Sequence, residues 1–260
     1  MYITGIGEIR SLILDMDGVL WRENSPIGNL PETFARFKER GLKVILATNN
    51  GTRTPDQYLE KMAGFGVALD KNQVVNSAMA LAHLLQKRFP QGGSVYILGE
   101  AGLVSALAEV GFYHDEEKVL AVAGSMDRKI DFWKLKRATL LIRAGAPFYF
   151  TNPDKTFPTP EGLIPGAGSI QAALEAATDV KAIIAGKPSP ALFEYALERL
   201  GTKPSETLVV GDRLETDILG GQNVGCRTAA VLSGVLSKEE ALVWQPKIDI
   251  IVPELADLVR

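Results

Sequence analysis

Cysteine and histidine are almost missing from this chain of 260 residues, which carries one Cys, Cys226, and two His, His83 and His114. A lone cysteine cannot close an intrachain disulfide, and its setting in GCRTAAVL reads as a small buried residue before or within a strand. A reducing compartment is consistent with that usage. Two histidines leave no basis for a histidine-rich metal centre or a Ser-His-Asp triad, and His83 reads as a surface residue of a helix. No window approaches the roughly 18 apolar residues of a membrane span. The opening MYITGIGEIR has neither the basic start nor the apolar core of a secretory leader. The expectation is a cytoplasmic, soluble protein with no membrane partner. Charge of one sign is also scarce: the net charge is −3 and no Lys/Arg cluster stands out, so no nucleic-acid partner is expected. GLIPGAG at 162–168 lacks the Lys-Ser/Thr ending of a P-loop, and no GxGxxG opens a βαβ unit. It reads as the turn entering a helix over 169–177.

What is present is ordinary globular composition, 46% hydrophobic and 23% charged, in a length that suits one large or two moderate domains. The stretch LILDMDGVLW reads as a strand, 11–14, ending in two acids and a glycine turn. Asp15 falls at the carboxyl end of that strand, where open α/β sheets place their ligands, and Gly18 permits the turn. Taken alone, two acids and a glycine after a strand also suit a solvated turn. Three further stretches repeat the form: KVILATNN, AIIAGKPSP and TLVVGDRLETD. Each is a short Val/Ile/Leu-rich run, as a strand buried on both faces of a parallel sheet requires, closing on polar groups. A doubly wound sheet would bring Asp15, Asp17, Thr48, Asn49, Lys187 and Asp212 to one crevice.

In this order the four motifs resemble the haloacid dehalogenase superfamily of phosphohydrolases, over most of the chain. The motifs are Asp15-Met16-Asp17-Gly18, Thr48-Asn49-Asn50, Gly186-Lys187-Pro188-Ser189-Pro190, and Gly211-Asp212 with Thr216-Asp217. GKPSP, GDRLETDI and TNPDKTFPTPEGLIPGAGSI look most like the NagD-like subgroup of phosphatases, whose cap is of the class IIA type. The resemblance implies a Rossmann-like doubly wound parallel sheet with an inserted α/β cap. The alternating elements divide accordingly into a catalytic core over 1–76 and 182–260 and a substrate-specificity cap over 77–181. Relatives with this cap commonly pair through it, so a homodimer is the expectation.

The residues suit phosphomonoester hydrolysis. Asp15 is the candidate nucleophile, forming an aspartyl-phosphate. Asp17 is the candidate acid for the leaving alcohol and then the base for water. Thr48, Asn49 and Asn50 would take the phosphoryl oxygens, and Lys187 would pair with Asp15 and the phosphate. Converging carboxylates would repel a dianionic ester unless a hard cation sits among them, and Mg²⁺ fits. Its expected ligands are the Asp15 and Asp212 side chains and the Asp17 backbone carbonyl. Asp217 would stand behind them, orienting a water or Lys187, or else be a plain helix N-terminal acid. The proline-rich segment 151–165, with Asn152 and Asp154, reads as a rigid loop contacting substrate, or as a surface connector. Arg22 and Arg53 are further candidates for substrate contact. The substrate class is a small phosphate ester. Phosphoryl transfer to a second acceptor and non-catalytic binding of a phosphometabolite are the alternatives.

Overall fold

The computed structural model describes residues 1–3, 7–159 and 161–259. The chain divides into two compact units, the first of Met1–Thr48, Pro55–Val75 and Lys187–Arg260, the second of Asn49–Thr54 and Asn76–Gly186. Asn49–Thr54 and 182–186 thus group with the second unit and not with the flanking parts. Hydrogen bonds explain the grouping. The Asn49 carbonyl accepts from Ser77 Oγ and Asn152 Nδ2, and the Gly186 N–H donates to the Thr151 carbonyl.

The first unit is built on a six-stranded sheet in the order Ile250–Val252, Arg227–Val231, Thr207–Gly211, Ser11–Leu14, Lys43–Thr48, Val74–Asn76. The first five of these pair in parallel. Leu12, Ile13 and Leu14 are at most 1% exposed, and every residue of Thr207–Gly211 is buried. Such strands are almost wholly apolar because both faces are covered, so their sequences run without alternation; the buried Ser11 and Thr207 at their starts bond to each other. The chain starts in the middle with Ser11–Leu14, moves outward on one side, and returns to build the other side from Thr207–Gly211. The point of reversal lies between these two strands, where doubly wound sheets open a crevice at the carboxyl ends. Register aligns those ends: Leu14 stands opposite both Leu46 and Val210.

Helix Pro190–Leu200 starts with proline at its first turn and stops at Gly201, whose φ of 62° is left-handed. Its face of Leu192, Phe193, Ala196 and Leu200 is buried, and the helix lies against Lys43–Thr48 and Ser11–Leu14. The helical segment after Asp212 begins as a π-turn over Leu214–Ile218 and becomes α-helical only at Leu219–Asn223. The wide turn accommodates the buried Asp217 carboxylate, in keeping with the frequent association of π-turns with functional sites. Strand Val74–Asn76 is not legible beforehand, since three residues carry no measurable periodicity.

The second unit has its own parallel sheet, in the order Ile183–Ile184, Phe148–Phe150, Val122–Gly124, Gly93–Leu98, Phe112–His114. Leu98, Val122, Phe148, Phe150 and Leu174 form its core. Two expectations are corrected here. The run AIIA before the lysine motif does not join the sheet of the first unit; Ile183 and Ile184 pair with Tyr149 and Phe150 of the second. A short apolar run is equally compatible with either sheet. Also, 151–165 is not simply a loop. Thr156–Thr159 and Gly162–Pro165 pair as an antiparallel hairpin in a two-stranded sheet, where prolines 158 and 165 need not donate to a continuous ladder. GLIP is therefore strand, and the following helix runs Ala167–Thr178. Cys226 is buried immediately before strand Arg227–Val231, and His83 is half-buried and not on the open surface. Among the described residues, no helix is long and apolar enough to cross a membrane.

Candidate active site

Asp15 and Asp212 leave the carboxyl ends of two adjacent strands. The Asp15 N–H donates to the Val210 carbonyl at 2.9 Å, extending the ladder by one residue and setting Asp15 beside the chain that leads to Asp212. The Lys187 ammonium lies 2.6 Å from Asp15 Oδ1 and 2.6 Å from Asp217 Oδ1, and the lysine and Asp217 side chains are only 3% and 2% exposed. A loop after the second unit's sheet, and not a strand of the first, delivers this lysine. Asp15, Asp212 and Asp217 each offer one carboxylate oxygen within 4.8 Å of the others.

One ammonium among three carboxylates leaves an excess of negative charge. Burial pushes the Asp15 carboxyl up, Lys187 pulls it back, and Asp217 and Asp212 push it up again, from 3.8 to about 8. Asp212 is also raised, by burial first, against the Val235 N–H that stabilises its charge. Burial alone would lower Lys187, but Asp15 and Asp217 outweigh it and hold the ammonium above the ordinary lysine range. Asp212 Oδ1 is buried and has no hydrogen-bond partner in the structure. Buried carboxylate oxygens are normally satisfied, so an all-oxygen cluster with one orphaned atom and surplus negative charge fits a hard divalent cation. Asp15, Asp212 and Asp217 are the side chains that could hold it.

Asp17 stands apart from the cluster. Its side chain is exposed, and Oδ1 accepts a 2.7 Å hydrogen bond from the indole Nε1 of the buried Trp21. Gly18, at φ 85°, makes the turn that follows the two acids. Thr48 is buried at the end of its strand. Asn50 uses its carboxamide oxygen within its own loop, accepting from the Thr52 N–H at 3.1 Å and from Thr52 Oγ1 at 2.7 Å. Asn152 and Asp154 assemble with Asn49 in the second unit: Asn152 Nδ2 donates to the Asn49 carbonyl at 2.8 Å, and Asn49 Nδ2 faces Asp154 at 3.3 Å. Arg22 is turned to Ser233, donating from Nε to its carbonyl at 2.7 Å, while the Arg53 carbonyl accepts from Asn76 Nδ2.

The sequence reading missed Trp21 and the segment Ser233–Val235. The latter follows TAAVL, one more apolar run closing on small polar residues, and that repetition was the available signal.

Two family models match the chain: a haloacid dehalogenase-like hydrolase model over residues 12–113 and a related hydrolase-like model over 184–258. The 5'-nucleotidase YutF of Bacillus subtilis is 37% identical over 231 residues, covering 88% of this chain and 90% of its own length. An acid sugar phosphatase of Staphylococcus aureus is 36% identical over 234 residues, covering 90% of each. Among solved structures, NagD from Escherichia coli K-12 superposes with a TM-score of 0.90 at 31% identity, covering 96% of this chain and 98% of that one. A glycerol phosphate phosphatase from Mycobacterium tuberculosis, solved in complex with magnesium, superposes with a TM-score of 0.90 at 33% identity over 98% of this chain and 78% of its own. With the two motif-bearing strands, the lysine and the acidic cluster in these positions, the chain belongs to the haloacid dehalogenase-like hydrolase family, among its NagD-like phosphatases.

Proposed function

We propose that this protein is a Mg²⁺-dependent phosphatase of small phosphomonoesters that works through an aspartyl-phosphate on Asp15. The observation that carries the reading is the buried Lys187, held 2.6 Å from both Asp15 and Asp217 at the sheet's point of reversal. A nucleophilic carboxylate must be ionised yet close to an anionic substrate; the fixed ammonium favours the ionised form, and a bound cation would add to that pull. Asp15, Asp212 and the Asp17 backbone carbonyl would hold Mg²⁺, with Asp217, bonded to Lys187, standing behind them; when bound, the ion supplies positive charge to the carboxylates and the phosphoryl oxygens. The magnesium complex of the Mycobacterium tuberculosis relative supports that choice of ion.

Asp15 attacks phosphorus in line, and the leaving alcohol takes a proton from Asp17. The Trp21 indole engages one oxygen of Asp17 and fixes the carboxyl, which leaves the other oxygen for the proton transfer. In the second step Asp17 accepts a proton from water as that water attacks the phosphorus and frees Asp15. Thr48 contributes a hydroxyl and Asn49 a backbone N–H to the phosphoryl oxygens. In the same reading the first unit is the catalytic core and the second chooses the leaving group, with Asn152 and Asp154 as its contributors. The names of the relatives support a nucleotide, sugar phosphate or glycerol phosphate as the substrate class.

The test is phosphate release from a panel of these esters and p-nitrophenyl phosphate, with Mg²⁺ and with EDTA. Release that requires Mg²⁺ and follows a ranking across the panel is expected. Equal release in EDTA would remove the metal from the reading, and transfer to an added alcohol without net hydrolysis would replace hydrolysis by phosphoryl transfer.

Pairing of two copies through the second unit belongs to the same proposal. On its helix Phe132–Arg143, Phe132 is 72% and Trp133 68% exposed, an apolar surface that supports an interface. Light scattering on the eluting protein should give twice the 28.1 kDa chain mass, falling to the single-chain mass in Trp133→Glu. A wild-type protein of single-chain mass would dismiss the dimer.

A further inference from the structure

The segment that follows strand Arg227–Val231 touches the acidic cluster at one residue, Asp212. Its Val235 N–H donates to Asp212 Oδ2 at 2.9 Å. Ser233 anchors the segment from both sides: its Oγ donates to the Gly18 carbonyl at 2.7 Å, and its own carbonyl accepts from Arg22 Nε at 2.7 Å. Gly234 lies between these anchors and directly against the carboxylate. A Cβ there would stand 1.9 Å from Asp212 Oδ2 and 2.4 Å from its Cβ and Cγ. Gly18 closes the other side, where a Cβ would stand 2.3 Å from Asp212 Oδ2 and 3.0 Å from Gly234 Cα.

The Asp212 carboxylate is therefore enclosed between two glycine backbones that admit it in one orientation. In that orientation Oδ2 is bonded to the Val235 amide and Oδ1 is buried with no hydrogen-bond partner. Leaving a carboxylate oxygen buried and unpaired is costly, and a structure that enforces it gains only if that oxygen has a partner of another kind.

We propose that Ser233–Val235 is a positioning segment that presents Asp212 Oδ1 to the metal ion, with Gly234 as the residue whose missing side chain makes the presentation possible. The proposal rests on the reading of Asp212 as a Mg²⁺ ligand. Gly234 has no left-handed φ, so the alanine backbone is admitted there and the whole conflict falls on the Asp212 side chain. Ser233 acts one step further out, holding the segment to the glycine turn after Asp17. Groups that orient metal ligands from behind typically change metal affinity by about 10–100-fold when removed.

The test uses the full chain stripped of metal, with Mg²⁺ binding measured calorimetrically and Mn²⁺ binding by electron paramagnetic resonance. Gly234→Ala should weaken Mg²⁺ binding by about tenfold or more, and Ser233→Ala by about threefold, because the amide contact to Oδ2 persists. In turnover of p-nitrophenyl phosphate, both variants should lose kcat at limiting Mg²⁺, regain it as Mg²⁺ is raised, and keep the substrate KM. That split separates ligand positioning from a general loosening of the fold. Gly234→Ala binding Mg²⁺ within about twofold of wild type, while Asp212→Ala does not bind, would overturn the positioning role alone. If Gly234→Ala does not fold, unchanged affinity in Ser233→Ala overturns it. Wild-type affinity in Asp212→Ala would overturn the metal reading, and the positioning proposal with it.

Discussion

Asp15→Asn is expected to lower kcat by on the order of 10⁴-fold or more, since an amide does not attack phosphorus and the other groups cannot replace a missing nucleophile. The same substitution has a second, opposite consequence for the metal-free protein. Asp15 in the fold is raised from 3.8 to about 8, with burial as the first cause. A carboxyl raised by folding contributes stability that is full below its unfolded value and is lost as the pH climbs through its folded one. Asparagine stays neutral throughout. The variant should therefore match wild type near pH 4 in EDTA and exceed it at pH 8 and above, by roughly 2–6 °C in melting temperature. Saturating Mg²⁺ should remove the advantage, because wild type then gains more from the ion. Thermal melts at the two pH values, with EDTA and with Mg²⁺, read both effects. An unimpaired kcat would withdraw Asp15 as nucleophile, and an advantage that is the same at pH 4 and pH 8 would withdraw the account of its charge.

Lys187→Met should be the most destabilising of the site substitutions, by about 3–5 kcal/mol near neutral pH. The lysine and Asp217 are almost fully buried, and removing the ammonium leaves Asp15 and Asp217 facing each other beside Asp212. Lysine itself does not titrate in the range that matters. Its raised folded value means that its contribution is full below 10.5 and lost only above that. The pH dependence of the variant comes from the acids. Its deficit should be smaller at pH 4, where Asp15 holds its proton, and widen as the pH reaches and passes about 8, where wild-type Asp15 ionises beside the ammonium. Urea unfolding in EDTA at both pH values measures it, and kcat should fall on the order of 10²–10³-fold with the loss of the fixed charge. A deficit below about 1 kcal/mol at pH 8 would mean that the pair behaves like a surface ion pair.

Much of the first unit was legible because its physics is local. Ser11–Leu14, Lys43–Thr48 and Thr207–Gly211 are Val/Ile/Leu-rich runs whose polar residues sit only at their ends, and each leads into a chemistry-bearing residue. Pro190 and Gly201 mark the two ends of their helix by the conformations that these residue types favour. The failures have equally specific causes. AIIAGKPSP has the same form as the other three runs, but its two-residue strand pairs with Phe148–Phe150, a choice that depends on which sheet edge is within reach. The hairpin in 151–165 was masked by its prolines, which argue against a continuous strand and say nothing against an isolated two-stranded one. Asn50 suits a phosphate contact by type, yet its side chain closes a turn with Thr52.

The sequence by itself determined the parallel α/β architecture, the family, and the identity of the acids and the lysine, because these follow from residue type and from spacing along the chain. Only the tertiary structure decided their pairings. Lys187 bonds Asp217 as well as Asp15, Trp21 takes Asp17, and Gly234 encloses Asp212. Those contacts join residues 4 to 172 positions apart, and their distances are set by sheet register and by the space that two glycines leave open, which no local pattern encodes.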